Sequence, residues 1–346
     1  MKKKKTAASE FSRCYSITRE KILSGDYDGA QKYAHNLEKI WHKSGNYVHK
    51  KAYNGAKKAL NKIKYNKNDI ILQKIGPIIR DEIFYAVVSP SLYATFAEPF
   101  FEKYNLIDLD NILDTNLPHN IPCVYFGCYK ERDFNKIKNN SSDFKIVVYG
   151  GTDATRSRNL KEVSKIKNLK HIAISNYIVD DLNRLKIPHK KVGITPIDHS
   201  KYKFEVEPLG NSVYIYNGSE ANAARYGKKM YKEVMRNFPD LEFKICGHGD
   251  YSRDELINIY KNSFIGLRLL NHDGLSNTVI EMALMGRRVV HNGGLPSSIS
   301  YDSAEDVCRI IEEERKKIGT KNKEVRDKTL LYLNNSRNWL KKSFWK

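Results

Sequence analysis

Cysteine is scarce: Cys14, Cys123, Cys128, Cys246 and Cys308 are the only five in 346 residues. The number is odd, and the one Cys-x4-Cys pair lacks a second pair of ligands. This argues against a disulfide framework or a zinc site, and the thiols read as reduced, as in a cytosolic protein. Long apolar runs are absent too. None approaches the ~18 residues needed to cross a bilayer, so no transmembrane segment is expected. Met1 is followed by Lys2 to Lys5 without an apolar stretch behind them, so no secretory signal is read there. The expected location is cytoplasmic, with at most a peripheral hold on a membrane.

Hydrophobic residues make up 40% of the chain and charged residues 29%, a globular composition long enough for two domains of ordinary size. The net charge of +20 invites a nucleic-acid reading, but its distribution opposes one. Residues 1–70 carry +11 and residues 315–346 carry +9, which leaves 71–314 neutral. The excess sits at the two ends. There it either holds the protein near an anionic membrane or another polyanion, or simply keeps lysine-rich helix faces solvated; nucleic acid is not the expected partner.

Along the chain, Ala30, Tyr33, Ala34, Leu37, Ile40 and Trp41 follow the spacing of one helix face. Ser24-Gly25-Asp26-Tyr27 returns as Ser44-Gly45-Asn46-Tyr47, which suggests two similar helical hairpins. From about residue 69 short apolar runs alternate with amphipathic stretches, the pattern of a parallel sheet covered by helices. Strands are expected at Phe84 to Val88, Val124 to Phe126, Lys145 to Tyr149, His171 to Ile174 and Lys191 to Ile194. A second series is expected at Val213 to Tyr216, Glu242 to Cys246, Phe264 to Leu267 and Arg288 to His291. The chain thus divides into a basic helical extension (1–68), two Rossmann-like α/β domains (69–205 and 206–318) and a C-terminal helix (319–346) packing back on the first of them. Trp339, Leu340, Phe344 and Trp345 give that last segment an apolar side.

The most informative segment spans residues 272–294. Asp273 and Gly274 lie in a loop that leads into a helix from about Thr278 to Met285, and Gly286 ends it. Amides at a helix N-terminus are unpaired, and with the helix dipole they form an anion site suited to a diphosphate. Leu275, Ser276, Asn277 and Thr278 bring the backbone into that position. Asp273 can accept from sugar hydroxyls, and Glu281, one turn in, from ribose hydroxyls. Thr278-x-x-Glu281 also fits a capping box, in which Glu281 would bond back to the Thr278 backbone.

The acid-x7-acid spacing from Asp273 to Glu281, followed by Met-Ala-Leu-Met-Gly and a strand, resembles the signature of retaining GT-B glycosyltransferases. This is the large family that includes sucrose, glycogen and lipopolysaccharide sugar transferases. The resemblance implies two Rossmann-like domains facing a cleft, a UDP- or GDP-sugar donor, a glycan acceptor and transfer without a metal. Its first acid binds the donor sugar and its second the nucleotide ribose. The first acid is usually Glu, and Asp273 is one methylene shorter. Asp-Gly-Leu-Ser-Asn-Thr is also similar to transferases of large DNA viruses and of cell-surface polysaccharide clusters.

Three further features fall in the order the resemblance implies. Asn217-Gly218 follows a strand, with Arg225, Lys228 and Lys229 beyond; an Arg fork and a Lys point charge suit a phosphate pair. Which of the three grips the diphosphate is open, as is an ordinary basic helix start. Gly247-His248-Gly249 is a turn for the nucleotide base, or a plain tight turn. Gly150-Gly151-Thr152-Asp153 ends a strand on the acceptor side, where Asp153 either orients an acceptor hydroxyl or caps the next helix. The catalytic set expected is Asp273, Arg225, Lys229 and Asp153. The alternatives are a DNA-modifying glycosyltransferase of the same fold and a non-catalytic binding protein.

Overall fold

The computed structural model describes residues 14–18, 20–21, 27–44, 56, 81–111, 115–155, 157–195, 204–333 and 336–346. The chain falls into two compact units. The first holds Met1–Val147, Lys161–Lys170 and Arg337–Lys346, and the second holds Val148–Leu160 and His171–Ser336.

The expected N-terminal helix is α1 (Tyr27–Ser44). Ala30, Ala34 and Leu37 are buried on one of its faces, and Leu37 joins Cys14 and Ala56 in a small cluster. The side chains of Ile40 and Trp41, and most of the repeated tetrapeptide, lie outside the described residues.

The first sheet is built from β1 (Tyr85–Val88), β2 (Ile107–Asp108), β3 (Cys123–Phe126), β4 (Lys145–Val148), β5 (Leu169–Ala173) and β6 (Lys190–Lys191), in the order β2-β1-β3-β4-β5-β6. Every residue of β1, β3 and β4 is buried, as in a parallel strand covered on both faces. Helices α2 (Pro90–Lys103), α3 (Glu131–Lys138), α4 (Ser157–Val163) and α5 (Asn176–Arg184) make the connections.

The second sheet holds β7 (Ser212–Gly218), β8 (Glu242–Gly247), β9 (Ser263–Leu267), β10 (Arg288–Val290) and β11 (Ser298–Ile299), ordered β11-β10-β9-β7-β8. All of its strand pairs are parallel. Its helices are α6 (Lys228–Asn237), α7 (Arg253–Lys261), α8 (Asn277–Leu284), α9 (Ala304–Arg315) and α10 (Lys323–Tyr332). Tyr231 and Val234 of α6 pack with Val307 and Ile310 of α9 in one cluster, while Val279 and Ile280 of α8 pack with Tyr260 of α7 in another. The chain crosses from β8 to β9 over the central strand β7, and the helices that follow β7 and β9 cover opposite faces. A crevice outside the strand ends is expected where the winding reverses in this way.

The α/β class is the one expected, and each of the nine expected strands has a counterpart. Two edge strands of two residues each, β2 and β11, were not anticipated, because two residues carry no readable pattern. The run from Lys191 to Ile194 pairs only at Lys190–Lys191. The cap of α8 is Ser276, whose hydroxyl accepts from the Val279 amide, rather than Thr278. The terminal apolar residues form 3-10 turns, Asn338–Leu340 and Lys342–Trp345, rather than a helix. Within the first unit Trp339 is fully buried, 5.3 Å from the Tyr104 ring and 6.5 Å from that of Phe100. Arg337 fixes the approach by donating to Glu82 at 2.8 Å and to the carbonyls of Ile83, Tyr104 and Asn105.

Candidate functional site

In a parallel sheet every strand ends on the same edge, so the segments after β7, β8, β9 and β10 emerge together. Four of the sequence-predicted groups lie on them. Asn217 and Gly218 end β7, where the pairing with β8 shifts register. The Asn217 Oδ1 is buried and has no hydrogen-bond partner among the described residues. Gly218 has φ +71°, and a Cβ there would run into the Tyr226 ring. The turn of Gly247, His248 and Gly249 is tied to this loop by the His248 amide, which donates to the Gly218 carbonyl at 2.6 Å.

Helix α6 opens at Gly227, which has a left-handed backbone and supplies no side-chain cap. Lys228 and Lys229 fall in its first turn, and the Lys228 amide donates to the Ala223 carbonyl at 3.1 Å. Arg225 and Lys229 are exposed and line a cavity of about 430 Å³ together with Gly227, Asn271, Tyr301 and Glu305. Lys228 is half-buried and does not line it.

The loop after β9 carries the most charge. Arg268 is 8% exposed and lies over the rings of Tyr216 and Tyr226, at 4.6 and 5.4 Å from their centroids. Its Nε donates to Asp273 Oδ2 at 2.6 Å, and the Gly274 amide donates to Asp273 Oδ1 at 2.9 Å. His291, fully buried, takes the Gly293 amide on Nδ1 at 3.1 Å, so its ring proton sits on Nε2, 3.5 Å from Asp273 Oδ2. Burial by itself would raise the Asp273 pKa, but Arg268 and His291 outweigh it and hold the carboxyl well below the usual range. Gly274 must lack a side chain here, because a Cβ would collide with the Gly150 carbonyl oxygen. The Ser175 hydroxyl donates to the Asp273 carbonyl at 3.0 Å, and the Tyr177 hydroxyl to that of Leu270 at 3.0 Å.

Ser276 caps α8, and Leu275, Asn277 and Thr278 surround that end. Glu281 is 2% exposed and ion-paired with Arg253 at 2.6 Å, so its carboxylate does not bond back to Thr278. Burial pushes its pKa up to about 7, against the pull of Arg253 and Tyr260. Asp153, also buried, accepts from the amides of Gly150 at 3.2 Å and Gly151 at 2.8 Å, and so closes its own loop. Helix α4 begins at Ser157, beyond the reach of a cap at Asp153.

The structure thus brings the Asn217-Gly218 loop against the Gly247 turn, and places Asp273, Asp153 and Arg225 each within electrostatic range of His272. It sets Glu281 apart, one helical turn into the core. Sequence reading passed over Arg268, Arg253, His272 and His291. Only His272, adjacent to Asp273, lay within the motif's loop; the others become partners through tertiary packing. Among the described residues, no group of three or more His, Cys, Asp or Glu side chains is arranged to hold a metal ion.

No known family profile matches the sequence, and no curated protein matches it. Among solved structures the chain is similar to Staphylococcus aureus TarM in complex with fondaparinux, α-GlcNAc-glycerol and UDP, at 11% identity and TM-score 0.44, over 64% of this chain and 54% of that one. It spans about half the length of that protein. It is also similar to the sucrose-phosphate synthase of Thermosynechococcus elongatus, at 11% identity and TM-score 0.46, over 70% and 75% of the two chains. A third is a Thermobaculum terrenum O-GlcNAc transferase, at 10% identity and TM-score 0.34, over 97% and 79%.

Proposed function

We propose that the chain is a GT-B glycosyltransferase that moves a sugar from a UDP- or GDP-sugar to a glycan or protein-linked glycan, with retention of configuration and without a metal. The observation that supports this most is the site's location. The residues after β7 (Asn217, Gly218, Arg225, Lys228, Lys229) and after β9 (Asp273 to Thr278) stand at the point where the winding of the second sheet reverses, which is where open α/β sheets bind nucleotides.

In this reading the Asn277 and Thr278 amides, with Arg225 and Lys229, hold the diphosphate and stabilise the charge it gains as it leaves. The ionised Asp273 accepts from donor-sugar hydroxyls. The Gly247–Gly249 turn packs on the base, and Glu281 takes the ribose by sharing its carboxylate with Arg253. Asp153 shapes the acceptor side by holding the Gly150–Gly151 loop. Residues 206–318 form the donor domain, residues 69–205 the acceptor domain, and the helical extension a docking module.

The test is a screen of UDP- and GDP-sugars for hydrolysis by the wild type and by Asp273→Ala and Glu281→Ala. One donor should stand out, and both substitutions should suppress its turnover while the variants still melt cooperatively. Undiminished turnover in both would remove these carboxylates from the site.

A further inference from the structure

One edge of the second sheet is long and unblocked. In the doubly wound order 3-2-1-4-5-6, β7 takes the first place, β8 the second, and β9, β10 and β11 the fourth to sixth. The third place, beside β8, holds no strand among the described residues. The other sheet edges, β2, β6 and β11, are two residues long, which blunts them. By contrast β8 has six residues and no proline. From its geometry we infer that β8 pairs with β8 of a second copy of this chain, antiparallel about a two-fold axis at Phe243.

The backbone groups for this pairing face outward. The His248 amide donates to Gly218 of β7, whereas the Gly247 amide turns the other way, to Asp250 Oδ2 at 2.6 Å. Successive residues of a strand alternate in direction, so Ile245 and Phe243 share the outer side with Gly247. The Leu241 amide is taken by the Phe238 carbonyl. That leaves the amides of Phe243 and Ile245, and the carbonyls of Leu241, Phe243 and Ile245, along the edge. With the axis at Phe243, each Phe243 amide meets the partner's Phe243 carbonyl, and each Ile245 amide meets the partner's Leu241 carbonyl.

The side chains select this register. An axis at Lys244 would set the two lysines side by side, and one at Ile245 would oppose Phe243 to Gly247, whose amide is already used. With the axis at Phe243, Glu242 lies opposite the partner's Lys244, and Lys244 opposite the partner's Glu242. Both are exposed and pair at 2.5 Å within β8, so the contact closes a ring of alternating charge. On the other face Phe243 meets its own copy, and Ile245, 38% exposed, meets the partner's Leu241. Leu241 and Phe243 border the core cluster of Tyr231, Val234 and Phe238, which the pairing extends. A lone edge lysine deters strand addition in general; with Glu242 beside it, Lys244 admits one register. Because the paired strands run in opposite directions, the Gly247–Gly249 turn of each copy stays free.

Sedimentation velocity of the full chain over a dilution series tests the inference. The wild type should dimerise at micromolar concentration. Glu242→Lys and Lys244→Glu each oppose like charges at both crossings and should raise the dissociation constant about tenfold or more. The double variant should bring it back to within about threefold of wild type, and an equimolar mixture of the two single variants should form heterodimers. Ile245→Pro removes an outward amide without touching the β7 ladder, and should give a monomer that still melts cooperatively. A wild type that stays monomeric up to roughly 100 µM, a hundredfold above micromolar affinity, overturns the inference and leaves the edge to a strand of another protein. So does a dimer that the single reversals and Ile245→Pro leave intact, which places the contact elsewhere. A double variant no tighter than the single ones overturns it as well.

Discussion

Asp273 concentrates the electrostatics of the second unit. Its carboxylate is anchored by Arg268, His291 and the Gly274 amide, so it is ready to accept and unable to rotate freely. Replacing it by Asn leaves Arg268 without its counter-charge, and removing one member of a buried pair costs about 3–5 kcal/mol. Because Arg268 keeps its place over Tyr216 and Tyr226, we expect the lower end of that range in chemical denaturation, together with loss of donor turnover. Glu281 carries a prediction about pH. Burial raises its pKa in the folded protein to about 7, above the 4.5 of an ordinary glutamate. The folded state therefore binds the proton more tightly, and stability falls as pH rises from 4.5 toward 7. The difference between wild type and Glu281→Gln should change over that window by about 3 kcal/mol, an upper figure given the Arg253 pairing. A flat difference would show that Arg253 keeps Glu281 ionised throughout.

Much of this was legible in the residues and some was not. The carboxylates, the glycines and the basic cluster advertise themselves by type and spacing. Arg268 and His291 do not, since an arginine after a strand and a histidine at a strand end have many ordinary uses, and only folding brings them to Asp273. Glu281 was expected to reach either a ribose or its own helix start. It pairs with Arg253 of a different helix, a partner that no local pattern announces.

The loop–helix–strand unit from Asp273 to Val290 owes its geometry to both ends of α8. The Ser276 cap should be worth about 1 kcal/mol, so Ser276→Ala should lower the melting temperature slightly while leaving the sheet intact. The far end depends on Arg287, which is fully buried and donates to the carbonyls of Ser263, Glu207, Pro208, Lys261 and Met285. Arg287→Ala strands these acceptors away from water. We expect a loss of about 3 kcal/mol or more, seen as early unfolding of the second unit by hydrogen exchange around Lys261 and Met285. Apolar periodicity made the strands readable, because buried parallel strands need continuous apolar runs. The short edge strands and the terminal 3-10 turns were hidden, since tertiary contacts rather than local pattern create them.

At the scale of the molecule the two ends of the sequence belong to the same unit. Trp339 fills a pocket beside Phe100 and Tyr104, and Arg337 ties its backbone neighbours down. Trp339→Ala should therefore cost about 3–5 kcal/mol, and removal of residues 337–346 should destabilise the first unit in a calorimetric scan before the second. The basic ends were legible as a charge excess, whereas the burial of Trp339 within one of them required the fold.

The placement of the C-terminal turns also decides what can be seen spectroscopically. The protein has three tryptophans, Trp41, Trp339 and Trp345, and all belong to the first unit. Emission excited at 295 nm therefore reports on that unit alone. The unit holding Asp273 and His272 is dark at that wavelength, and an indole introduced there would register nucleotide against a background that only the other half supplies.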